Sequence, residues 1–460
     1  MIENRRTTVN GRIIVGGKGR KHPKEADVFL HIAMKVAKNC RYVEPQFTLR
    51  FDKDTSEEIW DEALDALGAG ATYPTLYNDD VNVPAVMYGM RVDEKAAEQY
   101  VPFGCTEFVI QGQSTGTPNI CINLLKLLTI YMNDGIDPID GKRKSGPVPL
   151  KKLEEYQTFE EFYDGYKALL DYYLDLSVKA QYHSYEVMNQ HVSFLFTSLL
   201  TDDCIARGKA LLDGGVRYLG GTNETYGNIN TSDSLWVIRD LVFNQKKYTL
   251  RQLNDAMLAN FNGYEALRKD CLNCDKYGND LETADTMAND LYEFVAKGVR
   301  NRGIAIGMQY FLIVISNNQL NTEWGNRTAA SPDGRLSCMY MNPANNPQGG
   351  ANKSGPTAML NSLAKFDAKY HGGSVQNIKF SPSMFNENRA VIKSLFKTYF
   401  AKGGCHLMVT VVDKGVLEDA VEHPENYPDL IVRVSGFSAV FVDLSPNIQQ
   451  ELLSRVLYDK

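Results

Sequence analysis

The stretch VPFGCTEFVIQGQSTGTPN at residues 101–119 places a thiol, Cys105, two residues before a carboxylate, Glu107, in a segment punctuated by Gly104, Gly112, Gly116 and Pro118. Glycine and proline at that density read as a loop, neither a helix interior nor a regular strand. A cysteine on such a loop is a candidate reactive thiol. A nearby carboxylate opposes thiolate formation, and no histidine lies close in sequence to serve as a base. The pair suits a cysteine that works without ionising: a thiyl radical takes a hydrogen atom from carbon, and the carboxylate handles the proton. Standing alone, a Gly-Cys-x-Glu is more often a buried structural cysteine beside a surface glutamate. The second stretch is VRVSGFSAV at 432–440, where Gly436 interrupts a β-branched run. Glycine weakens a strand, so its presence calls for either a turn or bulge, or a use for a position without Cβ.

These two loops need a scaffold. RIIVGG at 12–17 reads as a short buried strand with a glycine stop, and the GGKGR that follows lacks a phosphate-loop pattern and reads as a turn. Thr55 and Glu58 form a capping box that starts a helix near 56, and Thr158 with Glu161 repeats it before the stripe Phe159, Phe162, Tyr163, Tyr166, Leu169, Leu170 and Tyr173, which reads as core. HLMVTVV (406–412) is a strand, GVLEDAVEH a helix ended by Pro424, and LIVRVSG a strand. Ser445-Pro446 opens a last helix carrying Ile448, Leu452, Leu453, Val456 and Leu457. The alternation predicts an α/β protein, a barrel or a doubly wound sheet, with its chemistry on loops at strand ends.

Composition narrows the classes. The 460 residues are 43% hydrophobic and 23% charged, which predicts a globular chain with a large core. A net charge of −7 without a basic block argues against nucleic acid as a partner. No apolar run reaches the length of a bilayer span, and MIENRRTTVNGRIIVGG lacks the apolar region of a signal peptide, so no membrane association and a cytoplasmic location are expected. The eight scattered cysteines then read as reduced thiols, with Cys271 and Cys274 a lone CxxC at a helix end and a weak metal or redox signal. Asp79-Asp80 and Asp202-Asp203 read as structural, Arg327 and Arg335 around SPDG as salt-bridge partners, and His371 as a loop residue.

Together, GCTE and VRVSGFSA resemble the glycyl radical enzymes, the pyruvate formate-lyase superfamily. NDDVNVPAV (78–86), LLTDDCIARGK (199–209), YGNDLETAD (277–285), GNRTAASPDGR (325–335), SGPTAMLNSLAKFD (354–367), NIKFSP (377–382) and RVSGFSAVFVDL (433–444) resemble family landmarks in family order, so the likeness covers essentially the whole chain. The resemblance implies a ten-stranded α/β barrel, here partial, in which the cysteine and glycine loops meet inside. It implies a stored radical at Gly436, a thiyl radical at Cys105 and a general base at Glu107, with no bound cofactor or metal. The radical would be installed by a radical S-adenosylmethionine iron–sulfur activase. A backbone radical at Cα prefers a planar centre, which a Cβ would crowd; Val432, Val434, Phe437 and Val440 would shield it. The implied division is a barrel portion over 1–335 and a glycine radical domain over 336–460.

Two departures qualify the resemblance. Only 104 residues precede Cys105, whereas full-length family members are much longer there, which implies that much of the first half-barrel and of the pocket wall is absent. A separate N-terminal half-barrel chain and a homodimer are then candidate partners beside the activase and a small-molecule substrate. The GCTE loop also lacks the adjacent cysteine pair of a formate acetyltransferase and resembles the eliminating members, although Thr115, Thr117 and Asn119 stand where several of those carry an acid. The expected activity is therefore a radical lyase or dehydratase. The alternatives are an inactive remnant or accessory subunit of a split enzyme, a formate C-acetyltransferase-like activity, and an ionic cysteine hydrolase, which requires a histidine within reach of Cys105.

Overall fold

The computed structural model describes residues 12–40, 43–116, 119–316 and 319–459. Ten strands lie in two sheets. The first is ordered β1 (Arg12–Gly16), β2 (Gln46–Phe51), β3 (Thr75–Asn78), β11 (His406–Val411), β10 (Asn377–Phe380) and β14 (Leu457–Tyr458). The second holds β6 (Ile120–Asn123), β7 (Gly220–Tyr226), β8 (Tyr310–Ile315) and β9 (His371–Ser374). All pairings are parallel except β3 with β11, where the first sheet changes direction. Parallel strands need crossovers, and helices supply them: Pro23–Asn39 between β1 and β2, Glu57–Gly68 between β2 and β3, and Glu282–Ala305 ahead of β8. Strands covered on both faces carry unbroken apolar runs, so the YFLIVI of β8 is buried at every position.

Two hairpins stand apart from the sheets. One is β4 (Tyr100–Phe103) with β5 (Glu107–Ile110), and the other is β12 (Ile431–Arg433) with β13 (Ser438–Val440). The region 101–110, expected as a loop, is thus a hairpin whose tip is Gly104–Thr106. The run 431–444, expected as strand resuming after a glycine, is a short hairpin with Gly436 in its turn, followed by a 3₁₀ turn at Phe441–Asp443.

Several local expectations change for identifiable reasons. The helix near 56 is capped by Ser56, whose hydroxyl accepts from the Ile59 amide, while the Thr55 hydroxyl instead bonds back to Asp52. The last helix stops at Ser454, because Leu457 and Tyr458 pair with Lys379 and Phe380 as β14. His371 is a buried strand residue rather than a loop residue. Arg335 makes no salt bridge: it is buried and donates to the carbonyls of Gly325, Ala329 and Met339. Asp79 pairs with Arg50, Asp80 with Lys18, and Asp203 with Arg217, as structural acids do. Thr158 caps Phe159–His191, and its aromatic stripe faces the core.

Candidate active site

Each hairpin tip is aimed at the other. A methyl carbon built on Gly436 would lie 2.5 Å from both Cα and Sγ of Cys105 and 2.8 Å from its Cβ. Ordinary carbon contacts are about 3.5–4.0 Å, so the two backbones touch with no room for a side chain. Gly436 does not adopt a left-handed backbone conformation; space, not dihedral freedom, demands glycine there.

The thiol's tip is pinned from two sides. Thr106 has φ +93°, an outlying value for a β-branched residue, and its carbonyl lies where a Cβ on Gly373 would have to go. That close approach locks the tip against β9. From β1, Arg12 donates to the carbonyls of Pro102 (2.9 Å) and Gly104 (2.7 Å) on the thiol hairpin, to that of Gly436 on the other (3.2 Å), and to Gln46 Oε1 (3.0 Å). One guanidinium therefore clasps both tips. Arg433, buried at the base of the glycine hairpin, reaches Ser438 Oγ at 3.3 Å, and burial lowers its pKa. The Tyr77 hydroxyl, His406 Nε2 and one Arg433 nitrogen are buried here without a hydrogen-bond partner among the described residues.

The carboxylate side is built on the second sheet. Glu107, the first residue of β5, is buried, and its Oε1 accepts from Asn119 Nδ2 at 3.3 Å, while Oε2 has no partner among the described residues. The same Asn119 nitrogen donates to Glu224 Oε1 of β7 at 2.8 Å. Glu224 Oε2 accepts from the Tyr226 hydroxyl at 2.5 Å, and Thr222 donates to Asn119 Oδ1. Burial, then the Glu224 charge, push Glu107 up to about 8. Burial, then Glu107 and Glu224, push the Cys105 thiol up to about 12. The thiol is therefore held as S–H, and no histidine hydrogen-bonds to it among the described residues, which removes the basis for an ionic cysteine hydrolase.

The structure thus brings together Cys105, Glu107 and Gly436, three residues singled out from sequence. Arg12, Asn119 and Glu224 complete the geometry. From sequence, Asn119 stands only where several relatives carry an acid; Thr115 is turned to the Gly220 carbonyl, and Thr117 lies outside the described residues. Cys271 and Cys274 lie at the end of the helix Glu265–Asn273, remote from this site in its contacts, with both thiols pushed up by burial.

Comparison with known proteins follows the same lines. The family profile described as pyruvate formate lyase-like matches residues 5–320, and that described as glycine radical matches residues 341–442. The chain belongs to the pyruvate formate lyase-like family. Among curated members it is 30% identical over 428 residues to trans-4-hydroxy-L-proline dehydratase of Clostridioides difficile, covering 92% of this chain and 54% of that protein. It is 27% identical to (2S)-3-sulfopropanediol dehydratase of Klebsiella oxytoca, covering 99% of this chain and 56% of that one. Among solved structures, glycerol dehydratase of Clostridium butyricum superposes with a TM-score of 0.89 at 28% identity, covering 98% of this chain and 57% of that one. The α/β barrel of this family is therefore the fold. The chain spans little more than half the length of the relatives it matches. No helix among the described residues is long and apolar enough to cross a membrane.

Proposed function

We propose that this chain is the radical-bearing portion of a lyase or dehydratase that acts on a small organic substrate through a thiyl radical. The observation that carries the reading is the contact of Gly436 with Cys105, which leaves no room for a Cβ between them. In this scheme Gly436 stores the radical, and a radical S-adenosylmethionine activase installs it. A hydrogen atom passes from the Cys105 S–H to the Gly436 Cα. The sulfur radical takes a hydrogen from substrate carbon, and Glu107 exchanges the proton that accompanies bond cleavage. A thiol held as S–H is the form from which a hydrogen atom can leave. The loop holds one cysteine, which speaks against formate acetyltransferase chemistry. The division at 335/336 is proposed as one of roles rather than of folding, since β1–β3 share a sheet with β10, β11 and β14.

A companion polypeptide belongs to the proposal. Val192, Leu195, Phe196, Leu199, Leu200 and Ile205 are all more than half exposed, an apolar face of the kind that partners cover. That face also supports the second reading, an accessory subunit or inactive remnant. The two separate in one experiment: anaerobic treatment with an activase, followed by electron paramagnetic resonance. A glycine-centred doublet that vanishes in Gly436→Ala supports the enzyme; its absence with the companion present leaves the accessory reading.

A further inference from the structure

The buried carboxylate that no expectation included is Glu224. We infer that Glu224 is a second proton-handling carboxylate of this site, sharing a single proton with Glu107 across Asn119, and that the pair fits a substrate whose leaving group is a carbon-bound hydroxyl. The substrate class rests on the radical reading above; the shared proton does not.

The geometry is asymmetric. Asn119 Nδ2 reaches one oxygen of each carboxylate, at 3.3 Å and 2.8 Å, and its own oxygen is occupied by Thr222. Glu224 receives a second donor, the Tyr226 hydroxyl at 2.5 Å, so both its oxygens are satisfied as an anion. The Glu107 and Cys105 backbone amides turn toward this carboxylate and favour its anion, but Oε2 is buried without a hydrogen-bond partner among the described residues, so it is the oxygen that takes the proton. Burial first, then the Glu224 charge, favour the protonated form of Glu107. The other groups facing Glu107 are Cys105, Cys121, Arg12 and Tyr77, and those facing Glu224 are Cys105, Cys121 and Tyr226. The nearest cation, Arg12, is committed to backbone carbonyls and Gln46 and does not pair with either acid.

A vicinal diol uses both members. The Cys105 thiyl takes the hydrogen atom from a carbon bearing a hydroxyl: C–H breaks, S–H forms, and carbon holds the unpaired electron. That hydroxyl gives its proton to Glu224. The neighbouring C–O bond breaks, its electron pair leaves with oxygen, and Glu107 protonates it to water. The resulting carbonyl-stabilised radical takes a hydrogen atom back from Cys105. One diol becomes one carbonyl compound and water, and the pair holds one proton before and after. A leaving group that departs as a stable anion, such as sulfite, would have no use for the protonated member.

Difference infrared spectroscopy against pH on the full chain, without radical or substrate, tests the pair. One carboxylic-acid band, lost in Glu107→Gln, is expected to titrate near 8. In Glu224→Gln its midpoint falls by about 1–3 pH units; an unmoved midpoint overturns the pair. Tyr226→Phe, which removes one donor from Glu224, shifts intensity away from the Glu107 band, and an unchanged band counts equally against it. On activated enzyme, turnover of 1,2-propanediol or glycerol is expected in preference to isethionate, with Glu224→Gln lowering kcat about 10²–10⁴-fold at little change in KM and an intact radical doublet. Preference for isethionate, or full activity in Glu224→Gln, overturns the hydroxyl assignment. A missing doublet in the wild type counts against the radical reading alone.

Discussion

Gly436→Ala isolates the feature on which the site depends. The added carbon would sit 2.5 Å from Cys105 Cα and Sγ and 2.8 Å from its Cβ, so the tips must part by roughly 1 Å to restore contacts of about 3.5 Å. They are not free to part, because Arg12 holds the carbonyls of Gly104 and Gly436 with one nitrogen, at 2.7 Å and 3.2 Å. Overpacking of this kind costs about 1–3 kcal/mol, within the 5–15 kcal/mol of a typical domain, so the variant folds. The melting temperature is expected to drop by a few degrees. The decisive assay is a double-mutant cycle with Cys105→Gly, which removes the Sγ and Cβ contacts of the new methyl and leaves the one at 2.5 Å from Cα. The destabilisation by Gly436→Ala should shrink by part of its value in that background, the backbone contact holding the remainder. Additive penalties would mean that the two tips do not touch, and the hydrogen-atom route between them would lose its basis.

Three further outcomes follow from the same contacts. Arg12→Met leaves the carbonyls of Pro102, Gly104 and Gly436 without their donor, each worth about 1–3 kcal/mol where buried; amide exchange should rise together at 100–107 and 434–438, and a rise at one hairpin alone would refute the clasp. Glu107, at about 8 in the folded chain against about 4.3 unfolded, keeps its proton where the unfolded chain has lost it, so its contribution to stability declines by about 1.4 kcal/mol per unit as pH rises through that window and levels off above 8. Urea unfolding of Glu107→Gln should show a correspondingly shallower decline, and parallel curves would contradict it. Lys379, buried and donating to the Leu452 carbonyl at 3.0 Å, is pushed down to about 8 by burial and then by Arg455, so its contribution rises between pH 8 and about 10.4. In Lys379→Met that rise should vanish, which unfolding at pH 7 and 10 measures.

What the sequence made legible divides along physical lines. A buried strand is apolar along its run and a core-facing helix repeats its apolar residues, so β11 announces itself by composition and the helix Phe159–His191 by its period. The hairpin Tyr100–Ile110 does not, because Pro102 inside its first strand and Gly104 at its tip mask two short strands of four residues each. β14 hides for another reason: two residues that continue a helical period are captured by an edge of the sheet, a tertiary choice that local pattern cannot express. Cys105 and Gly436 were legible as chemistry because each is an exception in its own segment. Glu224 was not, since a glutamate in GGTNETY looks like an outward strand position; its place beside Glu107 comes from the shared donor Asn119 and the β6–β7 pairing that sets it beside Cys121.

Arg12 shows the limit most plainly. It heads a strand in which nothing but its charge is unusual, and its partners lie up to 424 residues away. An arginine fork can hold several carbonyls at once, and here those carbonyls belong to two hairpins with no sheet pairing between them. Thr106 against Gly373 and Ser438 against Thr72 anchor the hairpins separately, and Arg12 ties one tip to the other. The glycine that makes the contact sterically allowed and the arginine that makes it stable are thus one device. Lysine could not replace the arginine, because a single ammonium cannot reach the Pro102, Gly104 and Gly436 carbonyls together with Gln46. Arg12→Lys should therefore loosen both tips nearly as much as Arg12→Met does, and amide exchange in the Lys variant matching the wild type would show that charge, not the fork, holds them.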